Sequence, residues 1–277
     1  MTLAARVSPP PHPRGQALRA AAAALGAEWT KFRTIAGPFW LLAGVVALTV
    51  AVGAVVATAA RCSSAACGVD PATVSFTGIY PAQAVAAVVG VLAIGNEYST
   101  GMVKLSLIAM PRRLTWLFAK AAVLTAPVLA ASALAVAGAA LAGRLILPGH
   151  GFTPAHGYPS LTTGTDLRAA VGTVLYLTLI ALLSLGVAAA VRDSAAAIGL
   201  VLGVLYLFPI TAAVVSSNVP LARHLNQIGP LPAGLDAQAT IGVKTLPLTP
   251  WQGLGIVALW TAGALLLGAL VLKSRDA

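Results

Sequence analysis

Apolar residues along this chain fall into six long runs, and the polar residues gather between them. The runs lie near 39–60, 78–96, 116–143, 167–191, 195–217 and 251–272, each long enough as a helix to cross about 30 Å of hydrocarbon at about 1.5 Å per residue. Only Arg192, Asp193 and Ser194 separate the fourth run from the fifth. Two tandem charges are costly in hydrocarbon, so this point predicts a tight helical hairpin, with the Ser194 hydroxyl capping the fifth helix. The expected fold is all-α: a polytopic membrane protein of six transmembrane helices in one domain, residues 17–277.

Before the first run, residues 1–16 carry Pro9, Pro10, Pro11 and Pro13 with Arg6 and Arg14, which predicts a disordered, basic start. It does not read as a signal peptide, because the first long apolar run begins only at Phe39. From Gln16 to Thr34 the sequence is helical by propensity and mixes Arg19, Glu28, Lys31 and Arg33 with Leu25, Trp29 and Phe32. This pattern predicts an interfacial helix, with Trp29 and Trp40 at headgroup depth on either side of a turn at Gly37 and Pro38.

Composition supports the bilayer assignment: 58% hydrophobic and 9% charged residues, against about 25% charged in soluble domains. A net charge of +10 could suggest nucleic acid, but in a chain of spans it reports basic loops facing anionic lipid, and no nucleic-acid partner is expected. With the amino terminus inside, twelve Lys and Arg fall on the cytoplasmic side and five outside. The positive-inside rule therefore places both termini in the cytoplasm.

The first outer loop, 61–77, holds Cys62 and Cys67, which can close a small disulfide ring or remain two thiols; two cysteines are too few for a structural zinc site. In the second, His150 and His156 read as solvated loop residues. The third, 216–250, with five prolines, predicts one or two short helices capping the external mouth. The small-residue pair Gly199 and Gly203, and the segment around Gly53, predict close helix packing, with a dimer seam as one use.

The function classes narrow by what is missing. A Walker A loop needs a lysine directly after a glycine, and every lysine here follows Thr, Val, Ala or Leu. Ion-coupled carriers and intramembrane hydrolases need ionisable or nucleophilic groups at mid-membrane, and the spans hold no carboxylate or histidine away from their ends. No catalytic, cofactor-binding or metal residue is expected, and the chain does not read as an enzyme. A channel-like or scaffold membrane protein, or less readily a membrane-bound enzyme, is the competing expectation.

The stretch from Val91 to Lys120 is unusual for a connector. It carries Glu97, then Gly101, a mostly apolar segment from Met102 to Met110, and Pro111, Arg112 and Arg113. By itself it fits a helix lying on the bilayer, apolar side down. Glu97, Tyr98, Gly101, the apolar helix, Pro111 and Lys120 also resemble the first cytoplasmic loop of type 2 ABC transporter permeases, particularly the actinobacterial type. That family spaces a Glu, a Gly, a Pro and a Lys as Glu97, Gly101, Pro111 and Lys120 stand here; it usually has Thr where this chain has Met102, and its Pro commonly falls one residue earlier. The segment LPAGLDAQA at 231–239 is loosely similar to a pattern in the same permeases.

The resemblance implies a permease subunit, an exporter by expectation, with an N-terminal elbow helix and a short coupling helix seated in a groove of a separate ABC ATPase subunit. That partner uses the ATP and Mg, and this chain binds no cofactor. A second permease copy or homologue, the lipid bilayer and an unidentified transport substrate complete the implied partners. Met102, Leu105, Ile108 and Ala109 fall at helical spacing and are expected to form the apolar knob, with Lys104 on its flank. Glu97 is implied to pin this helix through Arg112 or a backbone amide.

Overall fold

A computed structural model describes residues 13–34, 36–62, 68–109, 113–152, 164–243 and 246–274. The described residues are predominantly helical, with no strand among them. In chain order the helices are α1 (Pro13–Thr34), α2 (Ala36–Ala59), α3 (Pro71–Phe76), α4 (Ile79–Ser99), α5 (Met102–Ala109), α6 (Arg113–Ile146), α7 (Gly164–Val191), α8 (Ser194–Val214), α9 (Val219–Ile228), α10 (Pro230–Leu235) and α11 (Pro250–Ser274). Short 3-10 turns follow α6 and α10, at Leu147–His150 and Asp236–Gln238. Six helices, α2, α4, α6, α7, α8 and α11, are long and apolar enough to cross a bilayer. This is an all-α polytopic membrane protein.

The bundle is organised around α7. Its span is 61% buried inside the protein, whereas α2, α8 and α11 are each 22% buried, so α7 is the axis and those three form the lipid-facing wall. Tyr176, Leu177 and Ile180 of α7 are fully buried among Ala86, Val201 and Val257 from α4, α8 and α11. Small residues allow this closeness: a Cβ on Gly53 of α2 would fall 2.2 Å from the Ser75 carbonyl oxygen of α3, so only glycine permits that crossing. Gly199 and Gly203 differ, having nothing within 4 Å of where a Cβ would stand. Among the described residues no other element packs against them.

Several boundaries differ from expectation for local reasons. Helix α1 begins at Pro13, so residues 13–16 are helical; proline's fixed φ suits a first helical position. Residues 1–12 lie outside the described residues. Gly37 and Pro38 sit in the first turn of α2, since that helix already starts at Ala36. The α7–α8 hairpin is as tight as expected, but its cap is Asp193, whose Oδ1 accepts from the Ala196 amide at 2.7 Å, and Ser194 is the first helical residue. A carboxylate accepts that orphan amide more strongly than a hydroxyl. Arg192 turns the corner at φ 64°. His150 is half-buried, its Nδ1 3.0 Å from the Ile146 carbonyl oxygen, because the 3-10 turn folds it back onto α6. His156 lies outside the described residues.

Opposite the α5 end, the segment between α8 and α11 divides: α9 has no buried residue, whereas α10 is embedded rather than laid over the mouth. Pro230, Leu231, Ala233 and Gly234 of α10 are buried, and a Cβ on Gly234 would meet the Tyr176 ring, about 18 Å along α7 from its first residue. Helix breaks at such depth need partners for their backbone groups, and side chains provide them. Trp260 Nε1 donates to the Ile228 carbonyl at 2.9 Å and Arg168 Nη2 donates to that of Ala239. Asp70, which caps α3, accepts from the Thr240 hydroxyl at 2.7 Å and from the Ile241 amide at 3.0 Å, and so clamps the loop before α3 to the segment after α10. Deeper in the bundle, Tyr176 donates its hydroxyl to Gln83 Oε1, Gln83 Nε2 donates to the Tyr206 hydroxyl at 3.3 Å, and Tyr206 donates to the Tyr80 carbonyl at 2.8 Å. This uncharged chain joins α4, α7 and α8.

Asp236, just after α10, is half-buried, and burial pushes its carboxyl up from 3.8 to about 6. A raised folded-state value means that the fold prefers the protonated acid. Its stabilising contribution is complete below about pH 4 and is lost as pH rises through about 6. Asp236→Asn is therefore expected to raise the melting temperature at pH 7.5 by a few degrees and to remove the difference between pH 5 and pH 7.5. Thermal unfolding at the two pH values checks this, and a variant that keeps the wild-type difference counts against it.

Candidate functional site

At the other end of the bundle α4 stops in a way that aims α5. Gly101 has φ 70°, the left-handed region where a side chain is strained, and its amide donates to the Tyr98 carbonyl at 3.2 Å. The chain can then restart at Met102 in a new direction. The eight-residue helix α5 has two unlike faces. Val103 and Ser106, three apart, are 4% and 7% exposed, whereas Met102, Leu105 and Ile108, also at spacings of three, are 44%, 66% and 79% exposed. The apolar outward face matches the spacing argument. The side chains of Lys104 and Ala109 lie outside the described residues, as do Pro111 and Arg112 entirely.

Behind the inward face lies a cluster of four ions from three helices. Glu28 of α1, Glu97 of α4 and Lys120 of α6 are all buried. Lys120 Nζ donates to Glu28 Oε2 and Glu97 Oε1, both at 2.7 Å, and to the Ala93 carbonyl at 3.2 Å. Lys31 Nζ donates to Glu28 Oε1 at 3.0 Å, Glu97 Oε1 at 2.9 Å and Ser106 Oγ at 3.1 Å. Ser106 in turn donates to Glu97 Oε2 at 3.3 Å. All three protons of each ammonium are thus engaged. Trp116 adds a ring face 5.1 Å from Lys120 Nζ.

Two carboxylates against two ammoniums leave the cluster neutral, which is what burial demands, since an unpaired charge here would cost several kcal/mol. Burial lowers the pKa of Lys31, but its hydrogen bonds to Glu97 and Glu28 outweigh that and hold it above the ordinary 10.5. The cluster has a mechanical meaning because its members sit on different elements. Through Ser106, α5 is tied directly to α1 and α4, and by way of Glu97 to Lys120 of α6.

The structure thus brings Glu97, Lys120 and the helix bearing Met102, Leu105 and Ile108 together. Glu97 is pinned by Lys120, Lys31 and Ser106; Arg112, the partner implied by resemblance, is not among the described residues. Tyr98 points away from the cluster, its hydroxyl donating to the Ala189 carbonyl at 3.5 Å and so joining the ends of α4 and α7. At the same end Arg113 and Arg192 donate to the Leu272 and Val271 carbonyls at 2.7 and 3.3 Å, meeting orphan groups in the last turn of α11. Cys62 is disulfide-bonded at the far end, and Cys67 lies outside the described residues.

Glu28, Lys31 and Ser106 were not legible as site members. The available signal was the spacing of Glu28 and Lys31, three apart beside Phe32 on α1, but a helix expected to lie in the interface gave no reason to turn those charges inward. Among the described residues no group of three or more His, Cys, Asp and Glu could hold a metal ion. Compared with known proteins, the chain matches no family model and no curated sequence.

Proposed function

We propose that this protein is the membrane-spanning permease subunit of an ABC transporter, an exporter driven by ATP hydrolysis in a separate ATPase subunit. The observation that carries the reading is the asymmetry of α5. Its outward face exposes Leu105 and Ile108, while its inward face is bonded through Ser106 to Lys31 of α1 and Glu97 of α4, which Lys120 of α6 joins in turn. A helix that merely joined two spans would need no such anchor. One that transmits force needs an apolar handle for a partner and a rigid link to the bundle, and α5 has both. The resemblance of Glu97, Gly101, Pro111 and Lys120 to the coupling loop of type 2 permeases supports the same reading. ATP and Mg belong to the partner, and two permease chains line the path of a substrate that the site leaves unnamed.

On this reading the purified chain hydrolyses ATP at background rate, and reconstitution with a cognate ATPase gives hydrolysis that rises when transport substrate is added. Hydrolysis by the isolated, contaminant-free chain sinks the proposal. The orientation proposed with it places α5 and both termini in the cytoplasm of a bacterial cell and Cys62 outside the plasma membrane. After mild reduction of intact cells, an impermeant maleimide should label the protein without lysis; labelling only after lysis would invert the topology.

A further inference from the structure

Beside the ion cluster a recess of about 170 Å³ opens between α1, the start of α2, α4, α5 and α6. Its walls change character with depth. Along α4 the lining passes from Thr100 and Asn96 to Leu92, about 12 Å further along the axis. Along the antiparallel α6 it passes from Lys120 to Val123 and Leu124 in the same direction. Both walls are polar at the α5 end and apolar toward the bilayer centre. The volume of the whole recess is close to that of apolar cavities of about 150 Å³ that admit a benzene-sized group, so it admits a few methylenes of a hydrocarbon chain.

The polar end has a sign. The cluster is neutral in sum, but the Lys31 side chain is 31% exposed whereas those of Glu28, Glu97 and Lys120 are 9% exposed or less. What the recess presents to an arriving molecule is therefore an ammonium. Of the three acceptors on Lys31 Nζ, Ser106 is the uncharged one, and an anionic oxygen replaces it with a gain in charge pairing.

We propose that this recess binds one anionic phospholipid of the adjacent leaflet, an acyl chain against Leu92, Val123 and Leu124 and the phosphate at Lys31. The bound lipid bridges α1 to α4 and α6 and takes over the Lys31 bond to α5, so that the leaflet's anionic lipid content sets how firmly α5 is held. Binding itself does not rest on an ATPase partner and is measurable without one.

The test uses the full chain, purified and delipidated in detergent, titrated with dioleoyl phosphatidylglycerol or dioleoyl phosphatidylcholine and read by native mass spectrometry. Wild-type protein is expected to retain the first lipid about fivefold more tightly than the second. Val123→Trp, which fills the deep end, is expected to abolish that retention. Asn96→Asp, an exposed position at the polar end, is expected to erase the preference between headgroups while leaving the melting temperature unchanged. Should Val123→Trp fail to fold, Asn96→Asp alone decides. Equal retention of both lipids by wild type, or a preference that survives Asn96→Asp, overturns the proposal.

Discussion

Lys120→Met is expected to destabilise the folded protein by about 3–5 kcal/mol, lowering its melting temperature by about 6–20 °C. Two features make this loss large. Lys120 is 4% exposed, and its ammonium donates to both buried carboxylates and to a backbone carbonyl. Removing it leaves Glu28 and Glu97 sharing Lys31 alone, a net negative charge held away from water. An exposed ion pair would cost only about 0–1 kcal/mol, so the size of the effect reports burial rather than charge itself. Glu28→Gln in the Lys120→Met background restores neutrality, and the double variant is expected to recover about 1–3 kcal/mol relative to the sum of the single losses. Thermal unfolding in detergent measures all three variants. A Lys120→Met protein that melts within about 2 °C of wild type would remove the cluster as the anchor of α5.

How much of this was legible follows from which forces act locally. Six spans could be read because a bilayer demands long apolar runs and nothing else in the chain imitates them. The hairpin at Arg192 and Asp193 was legible for the converse reason, that charges resist hydrocarbon. The outward face of α5 followed from spacing alone, since Met102, Leu105 and Ile108 must share a side of any helix that contains them. Partnerships were another matter. Glu28 and Lys120 stand 92 positions apart and meet at 2.7 Å only because α1 folds back along α6, and no local pattern encodes that return. The buried path of α10 was equally hidden: proline-rich sequence predicts short helices, but their depth is set by Gly234 fitting against Tyr176, a contact between residues far apart in the chain. The same holds for Asp70, whose bonds to Thr240 and Ile241 span the whole bundle in sequence.

On the proposed function, Leu105→Asp is expected to release the ATPase while leaving the membrane protein itself intact. The side chain is 66% exposed and points away from the buried face that carries Ser106, so the substitution disturbs neither the ion cluster nor that face of α5, and the melting temperature should stay near the wild-type value. In a complex the same position would be covered. An unpaired carboxylate then loses its water without gaining a cation, at a cost of several kcal/mol, and about 3 kcal/mol already weakens association more than a hundredfold. Glu97→Gln tests the other half of the device. It keeps the outward face but leaves Lys31 and Lys120 with one carboxylate between them, a buried net positive charge that also costs the fold several kcal/mol, so at equal folded membrane levels the ATPase should still bind while its hydrolysis no longer responds to substrate. The competing view, in which α5 only rests on lipid, makes a different forecast for the same pair: Leu105→Asp loosens the loop from the membrane, and any ATPase present is recovered as before. A pull-down of the ATPase by wild-type and Leu105→Asp protein at equal membrane levels separates the two, and equal recovery would count against a coupling role for α5.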